Sequence, residues 1–129
     1  RKLNLELQGK VADDRPLPVE LRRAVELSQE RKAHQVTVLD LRGISTATYY
    51  FVIASGNSDV QVKAIADHVI EELKKEGFRP QHVEGLREGR WVLLDYIEFV
   101  VHVFHPQARA FYQLENLWGD APRWEISEG

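Results

Sequence analysis

The chain has 129 residues, of which 43% are hydrophobic and 29% charged, and its formal net charge is −3. This size and composition predict one soluble domain, and the mild negative charge excludes a global positive field that would attract nucleic acid. The chain has no cysteine, which excludes disulfides, thiolate metal sites and a cysteine nucleophile.

No apolar run approaches the roughly 18 residues that a membrane span requires, and no signal peptide is visible. We therefore expect a cytoplasmic protein that does not contact a membrane. Residues 1–17 are predicted to be a loosely ordered lead-in, although Leu3, Leu5 and Leu7 alternate as they would in a short strand.

Two segments have helical periodicity. The first runs from residue 19 to about residue 32, and Pro18 suits its first turn. The second begins with a capping box formed by Ser58 and Gln61 and ends at Gly77, the expected left-handed stop. The residues predicted to face the core are Leu21, Ala24, Val25 and Ser28 in the first helix and Val62, Ile65, Val69 and Leu73 in the second.

Five segments read as strands, at residues 35–41, 49–54, 81–84, 90–96 and 99–104. The last two are nearly contiguous, so we expect them to pair antiparallel. A final helix is predicted over residues 107–118, carrying Phe111, Leu114, Leu117 and Trp118. This order predicts an α/β fold with a mixed five-stranded sheet flanked by helices. The domain is expected to span residues 18–121, followed by a C-terminal tail at residues 122–129, where Trp124 and Ile126 could pack back.

The histidines do not predict a metal site. His102 and His105 lie three residues apart at the end of a strand, so their side chains should point to opposite faces of the sheet. The other histidines, His34, His68 and His82, belong to separate elements. We expect neither a metal nor a cofactor.

An enzyme of the nucleotidyltransferase type is a weaker alternative. Asp40 and Asp95 could hold Mg²⁺ if the fold brings them together, and residues 56–58 at a helix start could bind a phosphate. However, neither aspartate has a second acid two residues away on its strand, and residues 56–58 lack the lysine of a P-loop. No serine lies in a G-x-S-x-G motif.

A surface for a protein partner is the stronger hypothesis. Both faces of the hairpin formed by the last two strands are apolar: Trp91 and Leu93 share one face, and Val92 and Leu94 share the other. Three short helices cannot easily cover both faces. An uncovered aromatic patch is what the centre of a protein interface requires, although the pattern alone leaves open whether these residues are all core.

Taken together, four segments resemble the ribosomal silencing factor family, whose organelle relatives are the Iojap proteins. They are residues 50–56 (YFVIASG), residues 62–69 (VKAIADHV), Glu84 and Gly85 followed by residues 91–95 (WVLLD), and residues 100–104 (VVHVF) followed by Arg109, Phe111, Tyr112 and residues 114–118 (LENLW). The resemblance covers about residues 20–121. Two positions depart from it: Tyr49 stands where relatives usually carry an acidic residue, and Asp59 where a basic one is common.

The resemblance implies a nucleotidyltransferase-like core without its catalytic acids, and hence a protein that is not an enzyme. Members are expected to bind a ribosomal protein of the L-fourteen family on the large subunit, without direct sequence-specific contact to nucleic acid. The bound protein blocks joining of the small subunit and lowers translation when nutrients are scarce. An assembly factor for the large subunit is the alternative, and a homodimer is left open.

The resemblance also implies where the partner binds. Its interface uses the hairpin and its surroundings, so Trp91, Tyr96 and Phe104 are the predicted apolar anchors. Lys63 and Arg109 are predicted as polar contacts at the rim.

Overall fold

The structure is a computed structural model that describes residues 5–8 and 17–128. Its strands are β1 (Leu5–Gln8), β2 (His34–Asp40), β3 (Tyr50–Ser55), β4 (His82–Glu84), β5 (Trp91–Asp95), β6 (Phe99–Phe104) and β7 (Arg123–Ile126). Its helices are α1 (Val19–Glu30), α2 (Asp59–Lys75), α3 (Pro106–Tyr112) and α4 (Leu114–Leu117). No helix in these described ranges is long and apolar enough to cross a membrane.

The strands form one sheet in the order β1-β7-β2-β3-β6-β5-β4. Strand β3 runs parallel to β6, and every other neighbouring pair is antiparallel. The predicted mixed α/β fold is therefore confirmed, as is the antiparallel pairing of β5 with β6. The central position of β3 explains why it is apolar on both sides, since Val52 and Ala54 join one buried cluster and Ile53 joins the other.

The sheet has seven strands rather than the predicted five. The two additional strands are β1 and β7, which pair with each other, and β7 also pairs with β2. Each is only four residues long, too short for alternation to show clearly, and β7 interleaves charged Arg123 and Glu125 with Trp124 and Ile126. The remainder of the predicted lead-in, residues 1–4 and 9–16, lies outside the described residues.

Helices α1 and α2 cover one face of the sheet. All eight residues that the periodicity predicts to face the core are fully or almost fully buried there. The Ser58 hydroxyl accepts a hydrogen bond from the backbone N–H of Gln61, and Gly77 adopts a φ of 94° just after the helix. These two signals thus mark the ends of α2 as the sequence predicts.

The opposite face, which we call the open face, is covered within the described ranges by the short helices α3 and α4 alone. Its core is small and consists of Leu39, Leu41, Ile53, Phe104, Ala108, Leu114 and Ala121. The prediction of one helix over residues 107–118 is wrong, because Gln113 adopts a left-handed conformation and separates α3 from α4. Leu114 turns into the core at this break, whereas Phe111 and Leu117 remain exposed.

Candidate partner-binding surface

Partly or fully exposed aromatic side chains lie on the open face. We call this set the aromatic surface; its members are Phe51, Trp91, Phe111, Tyr112 and Trp118. Leu117, next to Trp118 in α4, is also exposed. Ring contacts connect Phe111 to Tyr112, Tyr112 to Trp91, and Phe51 to Trp118, at centroid distances of 5.0, 4.7 and 6.1 Å. Helix α3 has seven residues and α4 has four. Helices this short cannot cover one side of a seven-stranded sheet, so these side chains remain exposed.

Trp91 lies at the start of β5, where the pairing with β6 places it opposite Phe104. Its indole stacks on the Phe104 ring, with centroids 5.0 Å apart, and remains half-buried. The turn before β5 needs Gly85, whose φ is 80°, because a Cβ there would lie 1.9 Å from the Trp91 carbonyl oxygen. The backbone around Trp91 is therefore tightly specified.

His102 holds the indole from the neighbouring strand. The Trp91 Nε1–H donates a hydrogen bond of 3.0 Å to Nδ1 of His102, so the proton of the neutral imidazole must lie on Nε2. Burial lowers the pKa of His102 from 6.5 to about 3, which keeps the ring neutral at physiological pH. Its Nε2 has no hydrogen-bond partner, and the ring meets Phe51 edge-on at 4.5 Å.

Sequence reasoning did not single out Phe111, Tyr112 and Leu117 as contact residues. Phe111 is 79% exposed and Leu117 is 73% exposed, so neither contributes much to the core. An unbroken helix would have placed Phe111 and Leu117 on its buried side. The break at Gln113 had no glycine or proline to signal it.

Two of the predicted anchors do not lie on this surface. Phe104 is fully buried, so it can support Trp91 from below but cannot itself contact a partner. Tyr96 packs with the core on the α1–α2 side and stacks on Phe99 at 5.1 Å. Because side chains alternate along a strand, Trp91 and Tyr96 project from opposite faces of the sheet.

The hydroxyl of Tyr96 is buried and has no hydrogen-bond partner. This desolvation raises the pKa of Tyr96 to about 12. The buried hydroxyl therefore destabilises the folded state, and it does not serve as an exposed polar contact.

Arg109 is a structural residue rather than an exposed rim contact. Its guanidinium donates to Oε2 of Glu115 from Nη2 at 2.8 Å and from Nε at 3.2 Å. Nη1 also donates to the Gln35 carbonyl at 2.7 Å and to the Ser55 hydroxyl at 2.9 Å. These bonds join α3 and α4 to the end of β3, and the side chain is only 11% exposed.

Lys63 lies on α2, where its methylene groups pack against the backbone of Gly89 in the loop before β5. It remains partly exposed, so its predicted role as a rim contact stays a prediction.

The structure does not bring Asp40 and Asp95 together. Three inter-strand steps separate β2 from β5, which corresponds to roughly 14 Å at about 4.8 Å per step. The register also places Asp40 beside Tyr50 on the α1–α2 side, whereas Asp95 follows Trp91 and Leu93 on the open face. Asp40 pairs with Arg42 at 2.6 Å, and no cluster of metal-ligating residues occurs among the described residues.

Fold and surface together define a small mixed α/β domain with an incompletely covered aromatic sheet face. The sequence profile of the family "ribosomal silencing factor during starvation" matches residues 14–129. The chain is 44% identical to the ribosomal silencing factor RsfS of Halalkalibacterium halodurans, over 82% of this chain and 91% of that one. It is 42% identical to the RsfS protein of Bacillus subtilis, over 84% and 92% of the two chains.

A crystal structure of a protein from Chromobacterium violaceum has the same fold, with a TM-score of 0.76 and 35% identity over 78% of this chain and 83% of that one. The family profile and the two relatives therefore indicate the same family, and the crystal structure has the fold observed here. This chain belongs to the ribosomal silencing factor family.

Proposed function

We propose that this protein silences ribosomes by binding the large subunit through the aromatic surface. The partner in this proposal is a ribosomal protein of the L-fourteen family at the subunit interface. The bound protein occupies space that the small subunit needs, so subunit joining is blocked and translation falls when nutrients are limiting. The effect is steric and involves no chemical reaction.

The aromatic surface is the observation that carries this proposal. Trp91 and Tyr112 present rings that already contact each other, and His102 and Phe104 also hold the Trp91 indole, so it loses little conformational freedom on binding. Phe111 adds exposed apolar area beside Tyr112. Rigid aromatic side chains of this kind dominate the binding energy of protein interfaces. The relatives are named ribosomal silencing factors, which supports the ribosome as the target.

The residues predicted from the sequence take different roles in this proposal. Trp91 is the central anchor, and Phe104 fixes its position from the core. Lys63 is a rim contact, and Arg109 acts through the placement of α3. The net charge of −3 favours a basic protein partner over RNA phosphates.

A subunit-joining assay tests the proposal. Purified small and large subunits are mixed at a magnesium concentration that permits joining, with or without the protein, and separated on a sucrose gradient. We expect the protein to migrate with the large subunit and to reduce the joined peak. Undiminished joining with the protein in excess would reject the silencing mechanism, and accumulation of precursor subunits in a deletion strain would then favour assembly.

A further inference from the structure

The link between β5 and β6 contains a residue in an unfavourable backbone conformation. Ile97 has a φ of 72°, in the left-handed region that side chains branched at Cβ strongly disfavour. The other non-glycine residues with positive φ in the described ranges are Lys32, Gln35 and Gln113, none of which is branched at Cβ.

The surroundings of Ile97 hold it in this conformation. Its amide donates to Oδ1 of Asp95 at 2.8 Å, and its carbonyl accepts from the Thr48 hydroxyl at 2.9 Å. Asparagine or glycine would adopt the same backbone angles at lower cost. The isoleucine side chain is 59% exposed, so burial within this chain does not offset the strain.

A second exposed apolar residue lies beside Ile97. The amide of Tyr49 donates to the Glu98 carbonyl at 3.0 Å, which joins the start of β3 to the hairpin tip, and Tyr49 is 53% exposed. Tyr50 points into the α1–α2 core, so alternation directs Tyr49 to the open face, as it does Phe51. Tyr49 thus extends the aromatic surface towards the hairpin tip, where the Ile97 side chain is also exposed.

The charges around this tip indicate what it can contact. Asp95 precedes Ile97 and Glu98 follows it, and both carboxylates are at least partly exposed. The carboxylates repel the phosphates of RNA. Together with the apolar side chains between them, they complement an apolar depression that has lysine or arginine at its rim. The tip therefore fits a basic protein surface.

We propose that Ile97 and Tyr49 form a second apolar contact with the basic ribosomal protein that binds the aromatic surface. This inference rests on the proposed function. It adds that the partner extends from the aromatic surface towards the tip of the β5–β6 hairpin. The chain retains a strained isoleucine at the tip because its exposed side chain is needed in the complex. Strained residues concentrate at functional positions for this reason.

The test is the variant Ile97→Asn, for which stability and affinity should change in opposite directions. We expect its midpoint of thermal unfolding to rise by about 3 °C, because asparagine relieves the strain. We expect its affinity for isolated large subunits and for the purified L-fourteen family protein to fall at least about fivefold. Tyr49→Ser should weaken binding similarly, and Val60→Asn on α2 is the matched control for an exposed apolar residue elsewhere.

The outcomes separate this inference from the proposed function. If the unaltered protein fails to bind large subunits, the proposed function is rejected together with this contact. If it binds but Ile97→Asn binds equally well, only the contact is rejected. A lower unfolding temperature for Ile97→Asn would overturn the claim of strain, and equal binding to protein-free ribosomal RNA would overturn the choice of a protein partner.

Discussion

The indole Nε1 of Trp91 and Nδ1 of His102 are joined by a hydrogen bond of 3.0 Å between neighbouring strands. The bond gives a half-buried donor its partner and fixes the orientation of the ring in the middle of the aromatic surface. A histidine can accept this bond only while Nδ1 is unprotonated. The stability of the domain is therefore linked to the protonation of a buried residue.

Replacing His102 with phenylalanine should change how stability depends on pH. The unfolded chain binds a proton at His102 near pH 6.5, whereas the folded chain binds it only near pH 3. Between these values the unfolded state holds more protons, so the free energy of unfolding falls as pH falls, by about 1.4 kcal/mol per unit. At pH 7 the variant should be less stable by about 1–3 kcal/mol, because the indole N–H loses its acceptor.

Urea denaturation at several pH values between 7 and 4.5 would measure this effect. The curves of the unaltered protein and His102→Phe should approach each other as pH decreases. The control Val60→Asn replaces an exposed side chain that carries no titrating group and should leave the pH dependence unchanged. Parallel curves for His102→Phe would contradict the buried, neutral imidazole.

Tyr96→Phe should stabilise the protein. The variant removes a buried hydroxyl that has no partner, so the free energy of unfolding should rise by about 1 kcal/mol. Tyr112→Phe removes an exposed hydroxyl and should change stability by less than about 0.5 kcal/mol. Urea denaturation gives both values, and a loss of stability in Tyr96→Phe would show that the hydroxyl has a partner.

Arg109→Ala should destabilise the fold strongly. Its removal leaves Glu115 without its cation and the Gln35 carbonyl without its donor, which should cost about 3 kcal/mol. Arg90→Ala removes an exposed ion pair at 3.7 Å and should cost less than about 0.5 kcal/mol. Equal losses in the two variants, measured by thermal or urea unfolding, would disprove the structural role of Arg109.

Local sequence signals predicted the elements that depend on local chemistry. The ends of α2 follow from Ser58 and Gly77, and its buried side follows from helical spacing. Strand β7 could not be predicted in this way, because its position depends on pairing with β1 and β2, which are distant in sequence. The break at Gln113 was equally hidden, since glutamine has no special preference for the left-handed conformation.

The candidate site was predictable only in part. Apolar residues on both sides of the β5–β6 hairpin were compatible with an uncovered patch and equally with a complete core, so the pattern alone did not decide between them. Alternation along β5 also separates Trp91 from Tyr96, so the two could not belong to one flat surface. Whether Phe104 lies beneath Trp91 or beside it depends on where α3 and α4 end, which periodicity did not reveal.

The most direct measurement of the central claim is the affinity of Trp91→Ala for isolated large ribosomal subunits. Circular dichroism first establishes that the variant is folded, and Phe78→Ala provides a control at an exposed ring outside the aromatic surface. We predict at least about a tenfold loss of affinity for Trp91→Ala and none for Phe78→Ala. A folded Trp91→Ala variant that binds as tightly as the unaltered protein would contradict docking through the aromatic surface.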